Sequence, residues 1–214
     1  MRARVESGVV HLSGGTGYLG SALVARLHAR GAATRLIPRA GVFDAHAIAA
    51  AMQPGDTLVH LTGTPKPAPW KEKQFRAVDL PSLRASADAA LQARAGHFIY
   101  VSVAHPAPAM HAYIAVRKEA EAYLAQLGLP RTILRPWYVL GPRHWWPYAL
   151  KPFYALAERW PSTRESAVRL GLVTRAQMVN ALVEAVEHPA VDCRIVETAA
   201  IRGLFTGRDL LYTL

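Results

Sequence analysis

The sequence predicts an α/β protein, a doubly wound parallel sheet with helices on both faces. Three observations carry this. Short aliphatic runs alternate with amphipathic stretches along most of the 214 residues, the pattern of strands joined by crossover helices. A glycine-rich turn, Ser13-Gly14-Gly15-Thr16-Gly17-Tyr18-Leu19-Gly20, joins the first aliphatic run to the first amphipathic stretch. A hydrophobic content of 51% against 19% charged residues suits one large domain with its own core.

The elements follow in order. Val9-Val10-His11-Leu12 reads as a strand, and residues 21–29 as a helix with Leu23, Val24 and Leu27 on one face and Gly31 as its stop. Residues 34–38 form a second strand ending at Arg39, which completes a βαβ unit. Residues 45–52 make a short helix closed by Pro54-Gly55, and 57–62 a buried strand ending at Gly63. A loop holding Pro65, Pro67 and Pro69 leads to a helix over 80–95. Strand 97–103, helix 111–127 and strand 131–134 continue the alternation, and helix 177–187 and strand 194–198 end it. Between them, residues 143–160 hold three of the five tryptophans, Trp145, Trp146 and Trp160. The expected organisation is a single domain over 1–214, with 142–172 a small aromatic insertion near the C-terminal end that serves as a substrate lid.

Composition narrows the function classes. The single cysteine, Cys193, excludes a disulfide framework and a cysteine-based zinc site, and fits a reducing compartment. No run approaches the ~18 apolar residues of a membrane span, and the first residues lack the apolar core of a secretion signal, so a cytoplasmic protein is expected. The nine histidines show no metal-ligand spacing, and no metal is expected. Lys and Arg together number 25 against 15 Asp and Glu, a net charge of +10. Five of these are lysines (Lys66, Lys71, Lys73, Lys118, Lys151), leaving 20 arginines spread along the chain without a basic run. Such a charge attracts phosphates of any source. With no nucleic-acid-binding motif present, a phosphate-bearing small ligand is the expectation, and nucleic acid is not.

The glycine turn gives that ligand a place. Gly14-x-x-Gly17-x-x-Gly20 between a strand and a helix permits positive φ, close approach of backbone to a pyrophosphate, and tight helix–strand packing. The helix N-terminus then offers free N–H groups and a positive dipole end. Ser21 and Ala22 follow Gly20, so the Gly-Lys-Ser/Thr of a mononucleotide loop is absent and a dinucleotide is the sharper reading; an ordinary turn into a helix is the plainer one. Arg39 lies 19 residues after Gly20, ahead of the nearest carboxylate, Asp44. An arginine there accommodates the 2′-phosphate of NADP, where NAD binders use an acidic residue. Such a charged hydrogen bond is worth roughly 1.5–3 kcal/mol, about 10- to 150-fold in affinity. NADP(H) is expected over NAD(H), with a solvated surface arginine as the alternative for Arg39.

Three segments together, Ser-Gly-Gly-Thr-Gly-Tyr-Leu-Gly at 13–20, Ile-Tyr-Val-Ser at 99–102 and Thr-Ile-Leu-Arg-Pro-Trp-Tyr-Val-Leu-Gly-Pro at 132–142, resemble the atypical short-chain dehydrogenase/reductases, the NAD(P)H-binding, epimerase/dehydratase-like proteins. The resemblance covers residues 8–190 and implies a Rossmann fold with the cofactor along the carboxyl ends of the strands. It implies cofactor contacts at Gly14, Thr16, Gly17, Tyr18, Leu19 and Gly20, at Leu61, Thr62 and Gly63, and at Pro136 and Val139 beside the nicotinamide, with Asp44 near the adenine. It also implies that Ser102 faces the substrate.

The catalytic register departs from the family. Active members carry Tyr-x-x-x-Lys, two side chains four apart on one helix face. Here the register reads Tyr113-Ile-Ala-Val-Arg117, with Lys118 one position on, well round the helix at about 100° per residue. Arginine is bulkier and forked, and does not replace lysine freely. Tyr113, Arg117 and Ser102 are the candidate catalytic residues, and His105 and His111 are substitute proton donors. Lys118 and Glu121 read as a surface pair. Two functions are carried forward: an NADP-dependent oxidoreductase acting on a small carbonyl, quinone or flavin-like substrate, and a non-catalytic NADP(H)-binding regulator that senses redox state. The chain is shorter than the sugar-nucleotide enzymes of the family, and peripheral contact with an anionic membrane through the aromatic segment is a third possibility.

Overall fold

A computed structural model describes residues 8–140 and 169–203. Six strands, all parallel, form the central sheet: β1 (Val10–Ser13), β2 (Thr34–Ile37), β3 (Thr57–His60), β4 (His97–Val101), β5 (Arg131–Arg135) and, after a separate two-stranded sheet, β8 (Cys193–Glu197). That smaller sheet pairs β6 (Tyr138–Leu140) with β7 (Leu172–Thr174). The order across the main sheet is β2-β1-β3-β4-β5-β8. The winding reverses between β1 and β3, and in open α/β sheets ligands bind at the carboxyl ends of the strands flanking that point.

Helices cover both faces. One layer holds α2 (Ala45–Ala50), α4 (Leu80–Gln92) and α5 (His111–Gln126). The other holds α1 (Tyr18–Ala29) and α6 (Arg175–Glu187), with α7 (Thr198–Gly203) behind β7 and β8. Strand alternation sorts the core accordingly. Leu58, Phe98, Tyr100 and Ile133 meet Leu83, Ala87, Val116 and Leu124. Val10, Leu12, Val59, Ile99 and Leu134 meet Leu23, Leu27, Met178 and Leu182. The expected fold class is therefore the observed one.

Helix ends show how this sequence places its elements. Asp44 caps α2 by accepting from the Ala47 amide at 2.9 Å. Thr174 and Gln177 form a reciprocal capping box at the start of α6, at 3.2 and 2.9 Å. The N-terminus of α1, by contrast, begins at Gly17 with no side-chain cap, leaving its amides for another partner. Helices α1 and α6 run side by side in the same direction: Arg175 donates to the Ser21 hydroxyl at 3.2 Å, Arg26 to Asn180 at 2.9 Å and Arg30 to Glu187 at 2.7 Å.

The sequence expectations need several adjustments. Helix α6 begins two residues before the expected 177, because the capping box starts it. The stretch 69–79, expected as loop, forms a 3₁₀ turn (Pro69–Lys71), α3 (Glu72–Gln74) and a π-helical turn (Phe75–Asp79) running into α4. The short strands β6 and β7 were absent from the periodicity, since three residues carry too little of it. The aromatic segment 143–160 lies outside the described residues. Among the described residues, no helix is long and apolar enough to cross a membrane.

Candidate active site at the carboxyl ends of the strands

The glycine turn is shaped by contacts no side chain would permit. Gly14 has φ +71°, and a Cβ on it would lie 2.8 Å from the Leu61 carbonyl carbon and 2.9 Å from the Thr62 nitrogen. The turn after β1 therefore abuts the loop after β3 at the switch point. A Cβ on Gly20 would lie 2.3 Å from the Gly14 carbonyl oxygen and 2.6 Å from the Gly15 Cα, so helix and turn close on each other only with glycine there. The Gly17 amide donates to the Gly14 carbonyl at 2.9 Å. Thr16 and Gly17 are exposed, and Tyr18 and Leu19 half-buried, around the uncapped end of α1. Tyr18 donates to the Leu140 carbonyl at 3.0 Å, tying the turn to β6, and the Arg175 guanidinium lies 4.7 Å from its ring centroid.

Beyond β2, Arg39 is exposed at the start of a 3₁₀ turn. Asp44 is also exposed, and one of its carboxylate oxygens serves the cap of α2. Leu61, Thr62 and Gly63 follow β3, half-buried, and the Thr62 hydroxyl oxygen is enclosed without a hydrogen-bond partner among the described residues. Pro136 is buried, its carbonyl accepting from Ala104 at 3.0 Å, and Val139 is half-buried in β6. A positive-φ turn, an uncapped helix end, a cradle that a Cβ would fill and an orphaned hydroxyl fit a dinucleotide lying across the switch point.

The α5 end is built differently. Tyr113 is half-buried, its ring edge-on to Phe75 at 5.0 Å between centroids and 4.8 Å from the Arg117 guanidinium. Arg117 is turned into the protein. It donates to the Tyr100 hydroxyl at 3.0 Å, the Val101 carbonyl at 3.1 Å and Asp79 Oδ2 at 3.1 Å. Burial works against its charge, and the surrounding Tyr100, Tyr113 and Asp79 more than offset this, so its pKa stands above the ordinary arginine value. Burial pushes the Tyr100 phenol up to about 12 against the opposing pull of Arg117. Burial and then the Arg117 charge lower His60 to about 3.

Ser102 is buried and donates its hydroxyl to Glu121 Oε1 at 2.5 Å. Glu121 also receives Arg135, whose other arm reaches Glu197 at 2.9 Å. Glu121 is thus an inward-facing partner of Ser102, not half of the expected surface pair with Lys118. His105 uses Nδ1 on the Val103 carbonyl at 3.0 Å, and His111 is exposed at the start of α5. Asp79 and Glu121 are the two site residues that sequence reasoning missed. Asp79 carries no motif signal, and Glu121 lies four residues after Arg117, on the same face of α5.

Neither a family profile nor a curated protein sequence matches the chain. Solved structures do. The Bordetella bronchiseptica enzyme WbmH, in complex with NAD+, aligns at TM-score 0.62 and 20% identity, over 84% of this chain and 72% of its own. A short-chain dehydrogenase/reductase superfamily protein from Agrobacterium tumefaciens with bound NAD aligns at 0.64 and 17%, over 88% and 77%. The dTDP-4-dehydrorhamnose reductase of Bacillus anthracis in complex with NADP aligns at 0.65 and 12%, over 89% and 75%. At these identities the shared property is the fold: this chain has the fold of the short-chain dehydrogenase/reductases and their epimerase relatives.

Proposed function

We propose that the chain binds a nicotinamide dinucleotide, NADP(H) in preference to NAD(H), and is an oxidoreductase of the atypical short-chain dehydrogenase kind acting on a small carbonyl, quinone or flavin-like substrate. The observation that carries the reading is the turn at Gly14, Gly17 and Gly20. It is closed to side chains at Gly14 and Gly20, at 2.3–2.9 Å, and opens onto the uncapped end of α1 beside the loop after β3. The residues that would hold the dinucleotide are those of the turn, Thr62 and Gly63, and Pro136 and Val139. Arg39 supports the NADP preference: it is exposed at the end of β2, and the nearest carboxylate, Asp44, already caps a helix. Both NAD+ and NADP occur among the similar structures.

When bound, the nicotinamide supplies or accepts the hydride. Tyr113 is the residue for the accompanying proton: no hydrogen bond from its hydroxyl to a described residue competes for that role, and Arg117 places a fixed positive charge 4.8 Å from its ring centroid. Ser102, with its proton directed to Glu121, orients substrate through its remaining lone pairs. The test is oxidation of NADPH in the presence of quinones and aldehydes by the wild type and by Tyr113→Phe. Loss of turnover with binding retained supports the assignment, and a fully active Tyr113→Phe contradicts it.

A second reading has its own observation. Arg117 and Ser102 both direct donors to internal carboxylates, Asp79 and Glu121, as in a site that binds NADP(H) without turnover and reports redox state to a partner. That reading requires a partner whose affinity differs between NADP+ and NADPH, since a ligand shifts only equilibria whose two states it binds differently.

A further inference from the structure

In the register Tyr113-x-x-x-Arg117 the resemblance implies a lysine reaching the nicotinamide ribose, but Arg117 is committed elsewhere. Its side chain is 8% exposed, and its ion-pair partner Asp79 is 1% exposed. Asp79 divides its carboxylate. Oδ2 receives Arg117 at 3.1 Å, while Oδ1 receives both the amide of Thr64 at 2.6 Å and its hydroxyl at 2.8 Å. A Cβ on Gly63 would lie 3.0 Å from Arg117 Nη2, so the guanidinium rests against the loop backbone itself. No regular secondary structure spans the chain from Leu61 to Ala68, and Pro65 and Pro67 within it have no amide to donate. The carboxylate of Asp79 is what holds Thr64.

We propose that Asp79 and Arg117 form a clamp that sets the Thr62-Gly63-Thr64 loop for the dinucleotide and holds Tyr113 beside it, making both positioning residues rather than ribose ligands. The clamp joins α5, the π-helical turn before α4 and the loop after β3 through a single buried ion pair. Its role in binding rests on the nucleotide-binding reading above. The chemistry demands arginine. One guanidinium spans the Tyr100 hydroxyl, the Val101 carbonyl and Asp79 in a fixed fork, whereas the compact ammonium of lysine cannot reach all three. Restoring the family's lysine therefore weakens this site.

The test measures NADPH affinity and hydrogen exchange of the full chain for Arg117→Lys, Asp79→Asn and Thr64→Val, well below each variant's unfolding temperature. Arg117→Lys and Asp79→Asn are expected to weaken NADPH binding about 10-fold, the scale of one charged hydrogen bond. Exchange should rise at 61–64 and stay unchanged at 14–20. Thr64→Val leaves the ion pair intact, guards against a folding defect in the other two, and is expected to shift both readouts the same way by less. An Arg117→Lys protein that binds NADPH as tightly as the wild type, with 61–64 still protected, overturns the proposal. If the wild type binds neither NADPH nor NADH while exchange at 61–64 still rises in the variants, the nucleotide reading falls and the loop clamp stands.

Discussion

The glycine turn before α1 and the start of α5 both follow the carboxyl ends of strands in the same parallel sheet and are built by opposite means. The turn is made of backbone. Gly14 and Gly20 admit no Cβ, and its helix has no side-chain cap on its first amides. The α5 end is made of side chains that satisfy one another: Arg117 with Asp79, Tyr100 and Val101, and Ser102 with Glu121. Backbone recognition of a pyrophosphate tolerates a wide change of surrounding sequence, because every residue except proline supplies an N–H. Side-chain chemistry does not, and that is where this chain departs from the family it resembles. Under the proposed function, the binding element keeps its common form and the catalytic one is rewired.

The largest effect is expected from a side chain placed in the turn. Gly20→Val must displace the Gly14 carbonyl from 2.3 Å, and NADPH binding is expected to fall below detection in a titration, with a stability loss of about 1–3 kcal/mol from overpacking. Next comes Arg117→Ala. It leaves Asp79 as an uncompensated buried charge, a loss of about 3–5 kcal/mol, read as a fall of about 10 °C in the unfolding temperature. Tyr113→Phe tests the chemistry alone. Turnover is expected to drop by about 100-fold, the lower end for a lost acid–base group, while NADPH affinity and melting temperature stay as in the wild type.

What each element is made of decides whether its sequence announces it. The unit from β1 through α1 to β2 could be read because its glycines, its stop at Gly31 and its aliphatic runs are local signals. The parallel sheet with helices on both faces followed from simple alternation. The lateral order of the strands and the small β6–β7 sheet are tertiary facts with no local signature. The candidate site divides the same way. Gly14, Gly17 and Gly20 announce themselves by spacing, but Asp79 is a lone carboxylate in a stretch that reads as loop and folds as a π-helical turn, and only the fold brings it to Arg117, 38 positions away. The inward turn of Ser102 toward Glu121 was equally hidden, since a serine at a strand end reads the same whichever way its proton points.

Two smaller effects are expected. Arg39→Ala is expected to weaken NADPH binding about 10-fold and leave NADH binding unchanged; equal losses for both would remove Arg39 from 2′-phosphate recognition. Acid should act through buried histidines. Burial lowers His60 to about 3 and His97 to about 4, with the charges of Arg117 and Arg194 adding to it. Both stay neutral in the folded state while the unfolded chain takes up protons below about 6.5. Their stabilising contribution is therefore whole above pH 6.5 and is lost as pH falls toward 4 and then 3, by about 1 kcal/mol for each histidine over the first unit. Melting curves across that range should show it, and His60→Gln should flatten the slope.

The property we propose for the glycine turn is that it holds a nicotinamide dinucleotide with an NADP preference. Its most direct test is a titration of the purified chain with NADPH and with NADH, followed by quenching of tryptophan fluorescence. Saturable binding of NADPH, about 10-fold or more tighter than NADH and abolished by Gly20→Val, is the predicted result. Failure of both nucleotides to bind, or binding that Gly20→Val leaves unchanged, would contradict it.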